Sequence, residues 1–433
     1  MHYIKLKRQG EIVSKQPKKL LVLGHVWPEP TASAAGSHML SLIDMFQSNG
    51  YEIHFWCVAK LNENPEELEK LDIQTKAIEV NSDSFDIQVK DVMPDIVLFD
   101  RFITEEQFGW RVSQCCPEAL KLLDTEDLHC LRHARQEALK KGTEVEYLLK
   151  TSDISKREIA SIYRCDLTLI LSKAELCILN DIFSVPNTLL AHSPFMIKAP
   201  QVKTLGFSER KHFVTIGNFL HAPNWDAVLY LRETLWPTIR KKLPEAQMHI
   251  YGAYAANKAY ALNNKKIGFR ILGRAESAYD VLTNAKVCLA PLRFGAGLKG
   301  KLTDAMLAGT PSVTTNIGAE GMMPDNWLEN DWPGSITDQD DDFVDQAVRL
   351  YQDSILWQEK QLQGFDLLAK QFDAQTNSNR LMQSICGAIE NKHQRRTDNF
   401  FGQLLNHHNH KSSEYMSRWI QTKNELKALR EEN

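Results

Sequence analysis

Short apolar runs ending in small or polar residues recur along this chain, separated by longer stretches with helical spacing, and that alternation restricts the fold more than any other feature. The runs are LLVLG at 20–24, EIHFWCVA at 52–59, DIVLFD at 95–100, LKLLD at 120–124 and LTLILS at 167–172. Between two of them, in GSHMLSLIDMFQSNG, the residues Met39, Leu42, Ile43 and Phe46 fall at i, i+3, i+4 and i+7, one face of a helix. Strands alternating with helices predict a mostly parallel sheet, because parallel neighbours need a crossover that a helix supplies. The rhythm pauses over SPFMIKAPQVKTLGFSERK (193–211), which is polar and holds two prolines. It resumes with FVTIG (213–217), MHIYG (248–252), FRILG (269–273), VCLAP (287–291) and PSVTT (311–315).

A chain of 433 residues exceeds what one core usually serves. The expected organisation is a basic tail (1–18), two doubly wound Rossmann-like α/β domains (19–198 and 199–385) and a C-terminal helical extension (386–433). Ligands of such domains sit at the carboxyl ends of the strands, here in a central cleft between the two units.

Charge narrows the partners. The formal net charge of -4 gives no chain-wide attraction to nucleic acid. Cysteines 57, 115, 116, 130, 165, 177, 288 and 386 are scattered, mostly in apolar runs, without metal-ligand spacing, and read as reduced thiols of a cytoplasmic protein. The opening MHYIKLKRQGEIVSKQPKK carries six basic residues and one acidic, but LLVLG after it is too short for a signal or a membrane span.

The stretch 291–322, PLRFGAGLKGKLTDAMLAGTPSVTTNIGAEGM, matches two phosphate-binding patterns. Gly295, Gly300 and Lys301 fit G-x-x-x-x-G-K, yet Leu302 stands where a magnesium-binding hydroxyl belongs, which argues against an ATPase loop. Gly295, Gly297 and Gly300 fit G-x-G-x-x-G, yet the next strand ends in Thr315 and Asn316 rather than an acid, which argues against a dinucleotide site. Both matches share one physical content: glycines admit an anion to backbone N–H groups, and the helix that follows turns its positive end toward it. Lys299 and Lys301 add charge suited to a diphosphate. The competing reading is a tight turn with packed glycines and solvated lysines, which does not require this many of either.

Read in order, several stretches resemble the GT-B glycosyltransferases of family 4, the "group 1" retaining enzymes. They are GHVWPEPTASAAGSHMLSLIDMFQSNGYEIHFW, LLDTEDLHCLR (122–132), CDLTLILSKAEL (165–176), IGNFLHAPNWDAVLYL (216–231) and the glycine stretch. The resemblance implies transfer of a sugar, a hexosyl or related group, from a nucleotide-diphosphate donor, UDP- or GDP-linked, held mainly by the second domain. The acceptor, a glycan, lipid-linked or protein group, would be held mainly by the first. It also implies no required cofactor and no metal, with the leaving diphosphate neutralised by Gly297, Lys299, Gly300 and Lys301. Gly36 and Ser37, opening the first-domain helix, are expected to close on the same group.

The family pattern has two glutamates at a fixed spacing; Asp304 takes the second place, suited to ribose hydroxyls, while the first falls on Ala296. Glu320 in GAEGM offers a carboxylate from the next loop, or is a surface acid. Asp127 and His129 are the acceptor-side catalytic candidates, against the alternative that Asp124 or Asp127 caps a helix and the histidine is an ordinary polar one. Asn218 and Arg274, each after a strand, are donor-side candidates, with a surface arginine as the alternative for the latter. Pro223 and Asn224 are expected to start a helix.

Elsewhere, DQDDD (338–342) reads as capping acids before a helix, and His407, His408 and His410 lack a partnering acid or thiol for a metal. The extension, with Phe400, Phe401, Leu404, Leu405, Met416, Trp419 and Ile420 among basic residues, is expected to pack back on the domains. Peripheral contact with the inner membrane face is the reading kept beside it. Two other functions stay open: a non-catalytic scaffold of the same fold, to which Ala296 gives footing, and a nucleotide-sugar epimerase.

Overall fold

The computed structural model describes residues 17–59, 68, 71, 73–199 and 204–431. Residues 1–16 of the expected basic tail and 200–203 of the expected link lie outside them. The first sheet contains β1 (Lys18–Gly24), β2 (Tyr51–Cys57), β3 (Gln74–Ala77), β4 (Ile96–Asp100), β5 (Leu120–Asp124), β6 (Leu167–Ile170) and β7 (Leu190–His192). Its order is β3-β2-β1-β4-β5-β6-β7. The second contains β8 (Lys211–Ile216), β9 (Met248–Tyr251), β10 (Phe269–Gly273), β11 (Ala285–Ala290), β12 (Ser312–Thr314) and β13 (Gly334–Ile336), in the order β10-β9-β8-β11-β12-β13.

Pairing is parallel, as the alternation requires: Leu20 sits opposite both Ile53 and Ile96, and Val287 opposite Phe213. Both faces of the first sheet are covered, so its central strands β1 and β4 are nearly continuous apolar runs instead of alternating. Leu20 and Val22 of β1 enter one core with Leu42 and Phe46, while Leu21 and Leu23 enter the opposite one with Phe85 and Phe99. Strand order reverses between β1 and β4, and again between β8 and β11, which fixes where each sheet opens a crevice.

The helices that build or brace the cleft are α1 (Ala34–Ser48), α2 (Arg101–Cys115), α3 (His129–Lys141), α4 (Asp153–Arg164), α5 (Lys173–Asp181), α6 (Ala222–Tyr230), α7 (Gly300–Leu307), α8 (Ala374–Glu390) and α9 (Phe400–Glu431). Pro223 stands in the first turn of α6, where its missing N–H costs nothing. Asp340, Asp341 and Asp342 fill the first turn of the helix Asp340–Gln352, and Asp338 accepts from Asn316, so this acidic run serves helix starts.

Late in the chain, α8 crosses back: Leu381, Met382, Ile385 and Ala388 join Leu20 and Val22 in the first-sheet core. Beyond it, Arg396 pairs with Asp166 at 2.7 Å, and α9 lies on α2 and α4, where Arg111 Nη2 donates to the buried Ser417 Oγ at 3.3 Å. The extension therefore packs on the first domain, while Phe400, Phe401, Tyr415, Met416 and Trp419 stay exposed. Among the described residues no helix is long and apolar enough to cross a membrane.

Candidate active site

The glycine loop follows β11 and leads into α7, at the reversal point of the second sheet. Gly297 has φ +64°, a region that L side chains enter only at a cost, and a Cβ there would lie 2.8 Å from Asp127 Cβ and 3.1 Å from the Glu126 carbonyl oxygen. Gly300 is excluded from any larger side chain by Ala34, whose Cβ would be 2.4 Å away. These two glycines therefore let the second-domain loop touch the β5–α3 turn and the start of α1 in the first domain.

The two lysines of the loop differ. Lys299 is buried and turned inward, donating to the Ala296 carbonyl at 3.2 Å and the Gly297 carbonyl at 2.5 Å, so it staples its own loop. Burial lowers its pKa, and Glu320 and Glu175 oppose that shift. Lys301 donates to Asn224 Oδ1 at 2.7 Å and, among the described residues, has no carboxylate within ion-pair distance. Burial pulls its pKa down to about 8. Asp304, one turn further along α7, is pushed up to about 7 by burial.

Other donor-side candidates hold the loops together. Asn218 Oδ1 accepts from Leu220 N at 2.8 Å, and its carbonyl accepts from Asn224 Nδ2 at 3.0 Å. The Gly36 amide is already bound to the α1 cap Ser33 at 3.1 Å, and Ser37 Oγ donates to the Pro30 carbonyl at 3.2 Å. Arg274 spans the cleft to Thr31 Oγ1 at 2.8 Å. Glu320 also spans it, in a two-pronged pair with Arg135 at 2.6 and 2.7 Å, and Arg135 further donates to the Gly295 carbonyl at 2.9 Å.

On the facing side, β5 ends in a tight turn in which the buried Asp124 accepts from Glu126 N at 3.2 Å while Glu126 adopts φ +60°. Asp127 pairs with Arg132 and lies 3.5 Å from His129 Nε2. Burial alone would raise its pKa, but Arg132, His129 and His221 outweigh burial and hold the carboxylate well below the usual range. His129 is lowered too, but by burial: it falls to about 4 against the pull of Asp127, so the imidazole is neutral near pH 7.

Neither Asp124 nor Asp127 caps the helix that follows, although their positions suggested it. The first N–H groups of α3, from His129 and Cys130, are bound by the Glu158 carboxylate of α4 at 3.0 and 2.8 Å. Leu128 N, just before them, is bound by Glu175 of α5 at 2.8 Å. Two acids from other helices thus satisfy the groups that a local cap would take. The price is desolvation, which raises Glu158 to about 7 and Glu175 to about 8.

Gly297 thus abuts Asp127, which lies beside His129, while Lys301 and Asp304 follow on α7 and Glu320 pairs with Arg135 of α3. Reading the sequence missed Arg132, Arg135, Glu158, Glu175 and His221. Arg132 follows His129 at i+3 and was open to a helix-spacing argument; Glu158 and Glu175 sit inside helices with no local signal. His407 and His408 rings stand 4.9 Å apart on α9, the side chain of His410 lies outside the described residues, and no group of three or more metal-ligating side chains is found among those described.

Residues 210–353 match the family model "Glycosyl transferases group 1". No curated protein sequence matches the chain. Among solved structures, a variant of S. aureus TarM in complex with fondaparinux, α-GlcNAc-glycerol and UDP superposes with TM-score 0.65 at 12% identity, over 85% of this chain and 99% of that one. Anabaena HepE in complex with UDP-glucose gives 0.61 at 12% identity, over 85% and 99%. Sucrose-phosphate synthase from Thermosynechococcus elongatus gives 0.60 at 12%, over 84% and 98%. At such identities the likeness is one of fold, and that fold is GT-B: two Rossmann-like units with a helical C-terminal extension.

Proposed function

We propose that this chain is a nucleotide-sugar-dependent glycosyltransferase that works with retention of configuration. The observation that carries the reading is Lys301, a partly buried cation that, among the described residues, has no carboxylate within ion-pair distance, set at the start of α7 beside the glycine loop whose Gly297 abuts Asp127. A site of this kind favours a ligand that brings its own negative charge. The family match over 210–353 and the UDP and UDP-glucose bound by HepE support a nucleoside diphosphate in this role.

In the proposed reaction the bond between the anomeric carbon and the diphosphate breaks, and charge builds on the leaving oxygen. Lys301 and the first N–H groups of α7 neutralise it, which makes a metal unnecessary. Asp304 holds the ribose hydroxyls. Asp127, ionised and held by Arg132, orients the acceptor hydroxyl, and neutral His129 takes up its proton as the new glycosidic bond forms. No protein nucleophile is assigned.

UDP or GDP is the proposed nucleotide and a hexosyl or related unit the proposed sugar; a glycan, lipid-linked or protein group is the acceptor. The division near residue 199 belongs to the same proposal, each sheet carrying one substrate. So does action in the cytoplasm or against the inner membrane face, toward which the exposed aromatic residues of α9 offer contact.

The test is incubation of the full chain with UDP- and GDP-sugars and a panel of glycan acceptors, following free nucleotide and sugar products. Slow release of UDP or GDP, accelerated by one acceptor class that becomes glycosylated, is expected. Conversion of the nucleotide sugar to an isomer without acceptor would instead favour the epimerase, and tight donor binding without turnover the scaffold.

A further inference from the structure

Glu175 lies on α5, outside both loops of the proposed reaction centre, yet one of its oxygens touches both. Oε1 accepts from Leu128 N, in the first-domain turn carrying Asp127 and His129, and from Gly297 N, in the second-domain glycine loop, each at 2.8 Å. The side chain is fully buried, and among the described residues Oε2 has no hydrogen-bond partner. A carboxyl group bent onto two amides from opposite sides of a cleft does more than cap a helix, since Glu158 already serves the α3 amides.

We propose that Glu175 is a positioning residue, the shared acceptor that brings the acceptor-side turn and the donor-side glycine loop into register when the cleft is closed. The proposal rests on the transferase reading for its catalytic consequence and on the geometry alone for its structural one. With both amides on one atom, the separation of the two loops is set by two hydrogen bonds of fixed length. Arg135 braces the same junction from α3, through Gly295 and Glu320, but holds the outer part of the loop. Burial raises the Glu175 pKa to about 8, so a neutral oxygen meets the need and an amide oxygen is its close equivalent.

The experiment compares the full-length protein with Glu175→Ala and Glu175→Gln by amide hydrogen exchange over segments 125–131 and 292–302, by UDP titration, and by acceptor-dependent turnover. Glu175→Ala is expected to lose protection in both segments together and to lower kcat about tenfold or more, while UDP affinity changes by less than about threefold. Glu175→Gln is expected to keep protection and turnover near the parent. Exchange unchanged in Glu175→Ala, or lost in only one segment, would overturn the proposal. So would a Gln variant as impaired as the Ala variant, or a lowered melting temperature with kcat intact. If the parent protein releases no nucleotide from any sugar donor, the transferase reading fails and hydrogen exchange still decides whether Glu175 couples the loops.

Discussion

Replacing Lys301 by alanine separates binding from stability in a way that a merely structural lysine would not. The ammonium is desolvated, with a pKa of about 8 against an ordinary 10.5, and has one neutral partner, Asn224 Oδ1. Below pH 8 the folded protein carries the full cost of keeping this group charged, at most about 3 kcal/mol, offset by a hydrogen bond worth roughly 1 kcal/mol. Between pH 8 and 10.5 the unfolded chain holds more protons at this site, so this group's contribution makes stability rise with pH there. Lys301→Ala removes both the cost and the bond, and its melting temperature at pH 7 is expected to stay level or rise.

Affinity moves oppositely. A charge-assisted contact to a diphosphate is worth about 1.5–3 kcal/mol, so UDP or GDP should bind roughly 10- to 150-fold more weakly. In the parent protein, nucleotide binding restores the proton on Lys301, so affinity should fall as pH rises through about 8 and the variant should lose that slope. Calorimetric titration at pH 7 and 9, paired with thermal melts, reads all three quantities. A variant that binds nucleotide normally and melts earlier would show that Lys301 is structural and does not meet the diphosphate.

Three further outcomes are expected. Gly297→Ala forces an L side chain into φ +64° and against Asp127, costing about 1–2 kcal/mol for the backbone alone; it should cut turnover far more than it lowers the melting temperature, because opening the cleft relieves the clash. Asp127→Asn should leave UDP affinity within about threefold and reduce acceptor-dependent turnover by about 100-fold, the scale of a misplaced attacking group, as measured by steady-state kinetics. Glu158→Ala strands the buried N–H groups of His129 and Cys130 and should cost about 1–3 kcal/mol per lost partner, seen as a lower melting temperature with nucleotide binding retained.

Central strands were legible because burial on both faces leaves runs such as LLVLG and LKLLD. Three strands escaped detection: β3 (QTKA), β7 (LAH) and β13 (GSI). All three lie at sheet edges, where one flank is open and the side chains need not be apolar. Within the cleft, residues at a junction between a strand and the first turn of a helix carried a local signature, as with Gly297, Lys301, Asp127 and His129. Glu158, Glu175 and Arg135 did not: each is a charged residue inside an ordinary amphipathic helix, and only tertiary packing brings it to an amide or to Glu320. The inward turn of Lys299 was hidden for a related reason, since composition cannot distinguish a lysine that meets a phosphate from one that meets its own loop carbonyls.

The proposed reaction requires a nucleoside diphosphate, held without a metal, beside Lys301. The most direct measurement is a melting-temperature screen of the full chain in EDTA against UDP, GDP, ADP, CMP and NAD. A selective rise with UDP or GDP, undiminished by the chelator, is expected, because a ligand bound only by the folded state stabilises it by mass action. A rise with NAD alone, or none with any diphosphate, would contradict the proposed reaction.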